Sequence, residues 1–167
     1  MISLLGILLL TYVAAIAETA FVPTLAVYHA VPNVLALLGI LWAASAGSSQ
    51  LRIIEGASIG LVFDLNSGSH VGVGVVAFAL LAFAVIQARA AIRCLGIVQQ
   101  SMVCAPLVAG MMLIVAMGNR LFGEAVPPLS VVLWGAATTA VYSAAVSLPI
   151  WMMVDWTREV RRAASTL

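Results

Sequence analysis

The sequence predicts an all-α integral membrane protein, built as a bundle of six transmembrane helices with both termini in the cytoplasm. Composition is the first reason, since 64% of the 167 residues are hydrophobic, 8% are charged, and the mean hydropathy is +1.19. Soluble domains carry roughly 25% charged residues, so this chain has too little polar surface to coat a water-soluble globule. Apolar segments of nearly membrane-spanning length and the placement of the arginines are the other two reasons.

The six predicted helices are joined by short polar loops, which indicates one compact domain over residues 1–167. The predicted helices cover residues 2–19, 31–46, 53–66, 71–88, 95–117 and 129–156, and residues 157–167 form a cytoplasmic tail. Ala15-Ile16-Ala17 resembles the end of a secretory signal, but signals begin with a basic region and the first basic residue here is Arg52. We therefore expect the first helix to be retained.

Arginine placement predicts the orientation of the bundle, because basic residues in short loops favour the cytoplasmic side. All seven basic residues are arginines. With six helices and the N-terminus inside, every arginine except Arg120 lies on the cytoplasmic side. The reverse orientation would place six of the seven outside. The protein is thus expected to cross the membrane several times, with both termini in the cytoplasm.

Several function classes find no support in the sequence. The net charge of +1 suggests neither a nucleic-acid partner nor an acidic substrate. Cys94 and Cys104 have no metal-binding spacing, so we interpret both as small apolar side chains and expect no metal or cofactor. Known hydrolase, metalloprotease and phosphate-binding motifs are missing from the sequence, so no enzymatic activity is expected.

The third predicted helix carries a face of small residues that ends in an acid. Gly56, Gly60 and Asp64 recur every four residues, and Gly56-x-x-x-Gly60 allows two helix backbones to approach closely. Asp64 precedes a polar turn that contains Gly68 and Gly72, so it is expected to cap the next helix or to hold the turn. An ion or proton site, or a polar anchor for a partner, is the functional alternative.

The last predicted helix carries a second stripe of small and hydroxyl residues, again at every fourth position. Its members are Gly135, Thr139, Ser143 and Ser147. Such a stripe is typical of a helix-packing seam, and the lining of a polar cavity is the alternative. Asn66 and His70 in the turn and Tyr142 beside the stripe are, with Asp64, the candidates for contact with a partner or a polar pocket.

Three stretches of the sequence resemble the rod-shape-determining MreD family. They are "VPNVLALLGILWAASAG" (Val31 to Gly47), "EGASIGLVFDLNSGSHVGVGVVAFALLAFAV" (Glu55 to Val85) and "TAVYSAAVSLPIWMMVDWTREVRR" (Thr139 to Arg162). The second is similar to a family pattern in which a glycine-bearing helix is followed by G-L-x-x-D and then by a glycine and an apolar helix. The resemblance extends over most of the chain.

This resemblance implies a non-enzymatic inner-membrane subunit of the bacterial cell-elongation machinery, which directs peptidoglycan synthesis. The implied partners are MreC, the RodA glycosyltransferase, a class B penicillin-binding protein, the cytoplasmic protein MreB and membrane lipid. The family fold is similar to the substrate-binding subunits of energy-coupling factor transporters. That similarity provides the alternative function, a small-molecule binding subunit of a transporter.

A transporter subunit would need polar side chains that converge on an outward-facing pocket. The candidates for such a pocket are Glu18, Asp64, Asn66, Asn119 and Glu124, all predicted near the outer side. A proton- or ion-conducting bundle is a third possibility, but it would need a continuous polar path, and the predicted helices offer few polar residues for one.

Overall fold

A computed structural model describes residues 4–20, 32–45, 48–68 and 70–164. Within these ranges the chain is all-helical, with six helices and no strand. The helices are α1 (Leu4–Ala20), α2 (Val34–Ala44), α3 (Ser49–Ser67), α4 (Val73–Cys94), α5 (Ile97–Leu121) and α6 (Leu129–Ala164).

Two helix pairs make the most extensive contacts between described elements. One pair is α3 with α4 and the other is α5 with α6, and short connections make each pair antiparallel. The α4 and α5 helices pack together and join the two pairs, while α1 packs on α2 and α3. The core between these helices contains the fully buried side chains of Ile40, Phe78, Val85, Val108 and Met111.

The shortest helix, α2, occupies the centre of the described structure. It contacts each of the other five helices, and seven of its 11 residues are buried. Its sequence VLALLGILWAA is apolar on every side, which is what a helix surrounded by other helices requires. Gly39 gives the ring of Phe78 room, because a Cβ at this position would lie 3.3 Å from that ring.

Several helix boundaries differ from those predicted from hydropathy. The α3 helix begins at Ser49 rather than residue 53 because Arg52 lies in its first turns and pairs with Glu55. Arg89 and Arg93 lie within α4 rather than after it. The α6 helix runs through Ala164, so most of the predicted tail is helical, and residues 165–167 lie outside the described part. The predicted helix ends were placed where charged residues interrupt an apolar run. A helix can continue through such residues, which explains why these observed helices are longer.

Three of the described helices are long and apolar enough to cross a membrane. They are α4 over Val73–Ile92, α5 over Ile97–Leu121 and α6 over Leu129–Trp156. The α1 and α2 helices are apolar but shorter, and α3 carries Arg52, Glu55 and Asp64 within its 19 residues. At about 1.5 Å per residue, α2 is about 16 Å long, roughly half of a 30 Å hydrocarbon layer.

The two ends of the bundle differ in their polar residues. At one end, which we call the turn end, the turn between α3 and α4 meets the loop after α5 through His70 and Glu124. At the opposite end, which we call the arginine end, Arg52 and Arg89 join α2, α3 and α4. The sequence-based orientation assigns the turn end to the outer side of the membrane.

Candidate functional site

Asp64 lies at the turn end, in the last turns of α3, and its side chain is only 1% exposed. Its Oδ1 atom accepts the backbone N–H of Gly74 at 2.7 Å, and its Oδ2 atom accepts those of Gly72 at 2.7 Å and Val75 at 3.3 Å. These donors belong to the N-cap and first turn of α4, where N–H groups lack intrahelical partners and the helix dipole is positive. One carboxylate of α3 therefore caps α4.

Below this carboxylate, the backbones of α3 and α4 are in direct contact. A Cβ on Gly60 would collide with the carbonyl group of Gly74 and would lie 2.7 Å from Cα of Val75. One turn away, a Cβ on Gly56 would lie 2.8 Å from Cβ of Ala82. The face formed by Gly56, Gly60 and Asp64 is thus turned towards α4, and glycine gives the two helices room to approach.

Gly74 is required as well, and it was not among the predicted site residues. A Cβ at Gly74 would collide with Oδ1 of Asp64 and would lie 2.8 Å from the ring of Phe63. A larger residue would push the carboxylate away from the N–H groups that it accepts. The sequence signal for this role is a glycine that follows Asp64 by ten residues. Without a side chain, Gly74 lets its backbone N–H approach the capping carboxylate closely.

The turn between α3 and α4 depends on glycines with positive φ angles. Gly68 ends α3 with a φ of 66°, and Gly72 precedes α4 with a φ of 114°. A Cβ at either residue would have no atom within 4 Å, so these glycines are needed for their backbone conformation rather than for close packing. Asn66 lies exposed in the last turn of α3.

His70 links this turn to the loop that follows α5. Its Nε2 atom lies 3.6 Å from Oε1 of Glu124, and its ring centroid lies 5.3 Å from that of Phe122. The backbone N–H of Glu124 donates to the carbonyl of Asn119, which fixes the start of that loop. Both partners of the His70–Glu124 pair are accessible to solvent, so the pair contributes little stability but places two loops side by side.

The polar stripe of α6 faces α2 and α5. Ser147 Oγ lies 2.8 Å from Ser101 Oγ, and Ser101 also donates to the carbonyl of Ala144. Thr139 is buried, whereas a Cβ at Gly135 would have no atom within 4 Å. The packed part of the predicted stripe therefore starts after Gly135. Tyr142 lies beside the stripe and is partly buried.

The first turn of α2 is held by residues of other helices. The backbone N–H of Asn33 donates to Ser143 Oγ at 3.0 Å, and the Asn33 side chain accepts the N–H of Ala36 as an N-cap. Glu18 of α1 accepts the N–H of Leu35 at 3.4 Å. Ser143 is near the midpoint of the apolar span of α6, so α2 begins beside the middle of that helix.

The arginine end carries a cluster of polar side chains that was not predicted from the sequence. Its arginines were used there only to predict the orientation. Glu55 Oε2 accepts the Trp42 indole N–H at 2.6 Å and the Arg52 guanidinium at 2.9 Å. The Arg52 guanidinium also lies 4.5 Å from the centroid of the Trp42 ring. Arg89 of α4 donates to the carbonyl of Ser45 at 3.1 Å. The Arg52-x-x-Glu55 spacing was the available signal, since it allows a pair within one helix.

The predicted polar residues thus fall into separate groups. Asp64, His70 and Glu124 lie at the turn end, whereas Glu18 contacts the first turn of α2. Asp64 and Glu18 accept backbone N–H groups of neighbouring helices. In the described residues no three His, Cys, Asp or Glu side chains are placed to hold a metal ion. These contacts define an all-helical membrane protein whose buried polar groups bind its own helices to one another.

The family follows from a comparison with known proteins. The model of the family described as rod shape-determining protein MreD matches residues 1–155, so the chain belongs to the MreD family. This finding confirms the resemblance read from the sequence and places the protein among those that act in rod shape determination, which are not known as enzymes. No curated protein and no solved structure matches the chain significantly.

Proposed function

We propose that the chain is a non-enzymatic scaffold and regulatory subunit of the bacterial cell-elongation complex and that it binds MreC in the inner membrane. The observation that carries this proposal is the family match over residues 1–155. RodA and a class B penicillin-binding protein are the further partners in the membrane, and MreB is the partner on the cytoplasmic side. The complex in turn controls where peptidoglycan is made.

The contacts of the polar residues support a scaffold rather than a transporter. Asp64 and Ser143 contact backbone groups of α4 and α2, and Ser147 contacts Ser101 of α5. We assign helix-contact roles to Gly56, Gly60, Asp64, Thr139, Ser143 and Ser147, and turn-forming roles to Gly68 and Gly72. Asn66, His70 and Tyr142 are proposed as polar contacts for a partner. A platform of this kind needs rigid helix pairs, and the two pairs supply them.

We further propose a single domain of six membrane-embedded helices, with both termini in the cytoplasm and a fold similar to energy-coupling factor substrate-binding subunits. The antiparallel α3–α4 and α5–α6 pairs and the six arginines assigned to one side support this architecture. In this arrangement the 11-residue α2 helix itself covers only about half of the hydrocarbon thickness.

Purification from native membranes tests the proposal directly. We expect a tagged full-length chain, extracted in mild detergent, to co-purify with MreC and with cell-wall synthases identified by mass spectrometry. Depletion of the chain should turn rods into spheres, and wild-type protein should restore them. A Gly60→Leu variant, which disturbs the α3–α4 contact, serves as the inactive control for complementation.

Two results would contradict the scaffold. The first is an absence of MreC among the co-purified proteins together with normal rod shape after depletion. The second is co-purification of a transporter ATPase, with a small molecule retained by the chain and an uptake defect in the deletion strain. That second result would establish the transporter function instead.

A further inference from the structure

A partly open apolar cavity lies at the turn end between α5, α6 and the loop that joins them. Its volume is about 200 Å³, and Ala116, Met117, Leu129 and Leu133 are among the residues that line it. Among the described residues that line it, Arg120 is the one with a charge. An apolar lining with one guanidinium matches a ligand that has an anionic head and an apolar chain.

The Arg120 guanidinium is available for such a ligand. Its side chain is exposed, and among the described residues it takes part in no ion pair. Glu124 is the nearest acid in the sequence, but its carboxylate pairs with His70. The backbone carbonyl of Arg120 accepts the N–H of Gly123, which fixes the end of the helix without involving the guanidinium.

The position of Arg120 along α5 sets its depth in the bilayer. The apolar span of α5 is 25 residues, Ile97–Leu121, and Arg120 is its penultimate residue. A helix of this length measures about 37 Å and exceeds the hydrocarbon layer of about 30 Å. The guanidinium therefore lies at the level of lipid head groups, while Leu113, about 10 Å further along the axis, lies in the hydrocarbon.

We propose that this cavity binds one phospholipid, with its phosphate on Arg120 and an acyl chain beside Ala116 and Leu133. A guanidinium offers two parallel N–H donors to phosphate oxygens, and such charge-assisted pairs are stronger than hydrogen bonds between neutral groups. A phospholipid fits both parts of the site. Its phosphate lies at the depth of Arg120, and its acyl chain extends past Leu113 into the hydrocarbon. Both leaflets contain phosphate groups, so the inference does not depend on the orientation of the bundle or on the proposed function.

Native mass spectrometry of the full-length chain tests the site. The chain is reconstituted in nanodiscs of phosphatidylethanolamine and phosphatidylglycerol, released, and scored for retained phospholipid. Arg120→Gln removes the charge and Ala116→Leu fills the cavity. We expect Arg120→Gln to lower retention about fivefold, the contribution typical of one basic residue near a membrane surface, and Ala116→Leu to lower it as well. Arg162→Gln in the C-terminal segment and Ala145→Leu at an exposed position of α6 outside the cavity are the controls, and both should retain lipid like the wild type.

Unchanged retention in Arg120→Gln or in Ala116→Leu would refute the site, since the two substitutions affect its two halves. Arg120→Lys keeps the charge but removes the two parallel N–H donors of the guanidinium. We expect its lipid retention to lie between those of the wild type and Arg120→Gln. Excess inorganic phosphate should not displace the lipid, because it lacks the acyl chain; complete displacement would refute the use of the cavity. If Arg120→Gln keeps its lipid and loses a co-purified protein, the guanidinium serves a partner's carboxylate and the proposal is wrong.

Discussion

The Asp64 carboxylate accepts three backbone N–H groups that a helix start would otherwise leave without partners. The chain needs glycine on both sides of this contact, at Gly60 in α3 and at Gly74 in α4, because the helix backbones touch there. A charged residue in an apolar chain thus has a structural explanation in its own contacts. Its cost of burial is offset by hydrogen bonds to the charged form.

Asp64→Asn tests how much of this contact requires the charge. Asparagine keeps one carbonyl oxygen but places an NH₂ group against N–H donors, so at least one donor of α4 loses its acceptor. We expect a loss of about 1–3 kcal/mol in the free energy of unfolding, measured by thermal unfolding in detergent. Asn66→Ala, in the exposed last turn of α3, is the matched control and should leave stability unchanged. An Asp64→Asn protein as stable as the wild type would contradict the capping role.

Gly60→Ala tests the close approach of α3 and α4. The added methyl group would overlap the backbone of Gly74 and Val75, so the helices must separate, and we expect a loss of about 1–3 kcal/mol. Gly135→Ala is the control, because a Cβ there has open space and alanine favours helix by up to about 1 kcal/mol. Opposite signs for the two substitutions are the expected result. Equal effects would mean that helix propensity, not packing, determines both.

Some of these residues were predictable from spacing and others were not. The four-residue repeat of Gly56, Gly60 and Asp64 placed them on one face, which the structure turns towards α4. The same rule put Gly135 in a packing seam, where the structure leaves space around it. Repeats reveal which residues share a face, but whether a neighbour covers that face depends on helix placement, which a single helix does not encode.

At the scale of secondary structure elements, α2 depends on distant parts of the chain. Its first turn contacts Glu18 of α1 and Ser143 of α6, and its last residue precedes Ser45, whose carbonyl accepts from Arg89 of α4. Isolated helices of this length are marginal, so the position and stability of α2 come from these contacts and from burial.

Ser143→Ala tests the contact between α6 and the start of α2. The substitution leaves the buried N–H of Asn33 without its acceptor, which should lower the free energy of unfolding by about 1–3 kcal/mol. Ser130→Ala, at an exposed position of the same helix, is the control, and its effect should stay within about 0.5 kcal/mol. If both variants unfold at the same temperature as the wild type, Ser143 is not the anchor of α2.

Hydropathy predicted the number and order of the helices but placed several of their ends incorrectly. Each helix core falls inside its predicted segment, because apolar runs mark buried and lipid-facing helices alike. The helix ends differ from the prediction where polar residues have partners in the folded chain. Arg52 pairs with Glu55, and Arg89 donates to the carbonyl of Ser45. A hydropathy average over a window of residues places a helix end at such residues because it does not include their pairing.

At the scale of the whole molecule, the architecture depends on which helices can cross a membrane. The structure is all-helical in its described part, and three helices have the length and hydropathy of membrane spans. The side of the membrane on which each end of the bundle lies follows from how many of α1, α2 and α3 cross the bilayer together with these three helices. Composition predicts the membrane environment well, but the number of crossings depends on short and charged helices whose partners lie elsewhere in the chain.

Cysteine labelling tests the orientation of the two ends. Native Cys94 is exposed at the arginine end, whereas Cys104 is buried. We expect Cys94 to react with a membrane-impermeant maleimide only in inverted vesicles. His70→Cys in a Cys94→Ser background should react only in intact spheroplasts. Labelling of both sites from the same side would contradict a transmembrane α4, and labelling of each site from the side opposite to that expected would contradict the proposed orientation. Fusion reporters on the two termini provide an independent check.

The hydrogen bond between Asn33 and Ser143 has a consequence for biosynthesis. The two residues are 110 positions apart in the chain, so the acceptor for the first turn of α2 is made long after its donor. At about 5–20 residues per second, a ribosome needs roughly 6–22 s to close that gap. During this interval the first turn of α2 lacks its Ser143 acceptor, although its other contact, Glu18 of α1, has already been synthesised. The central helix is therefore among the first to leave the ribosome and among the last to reach its native position.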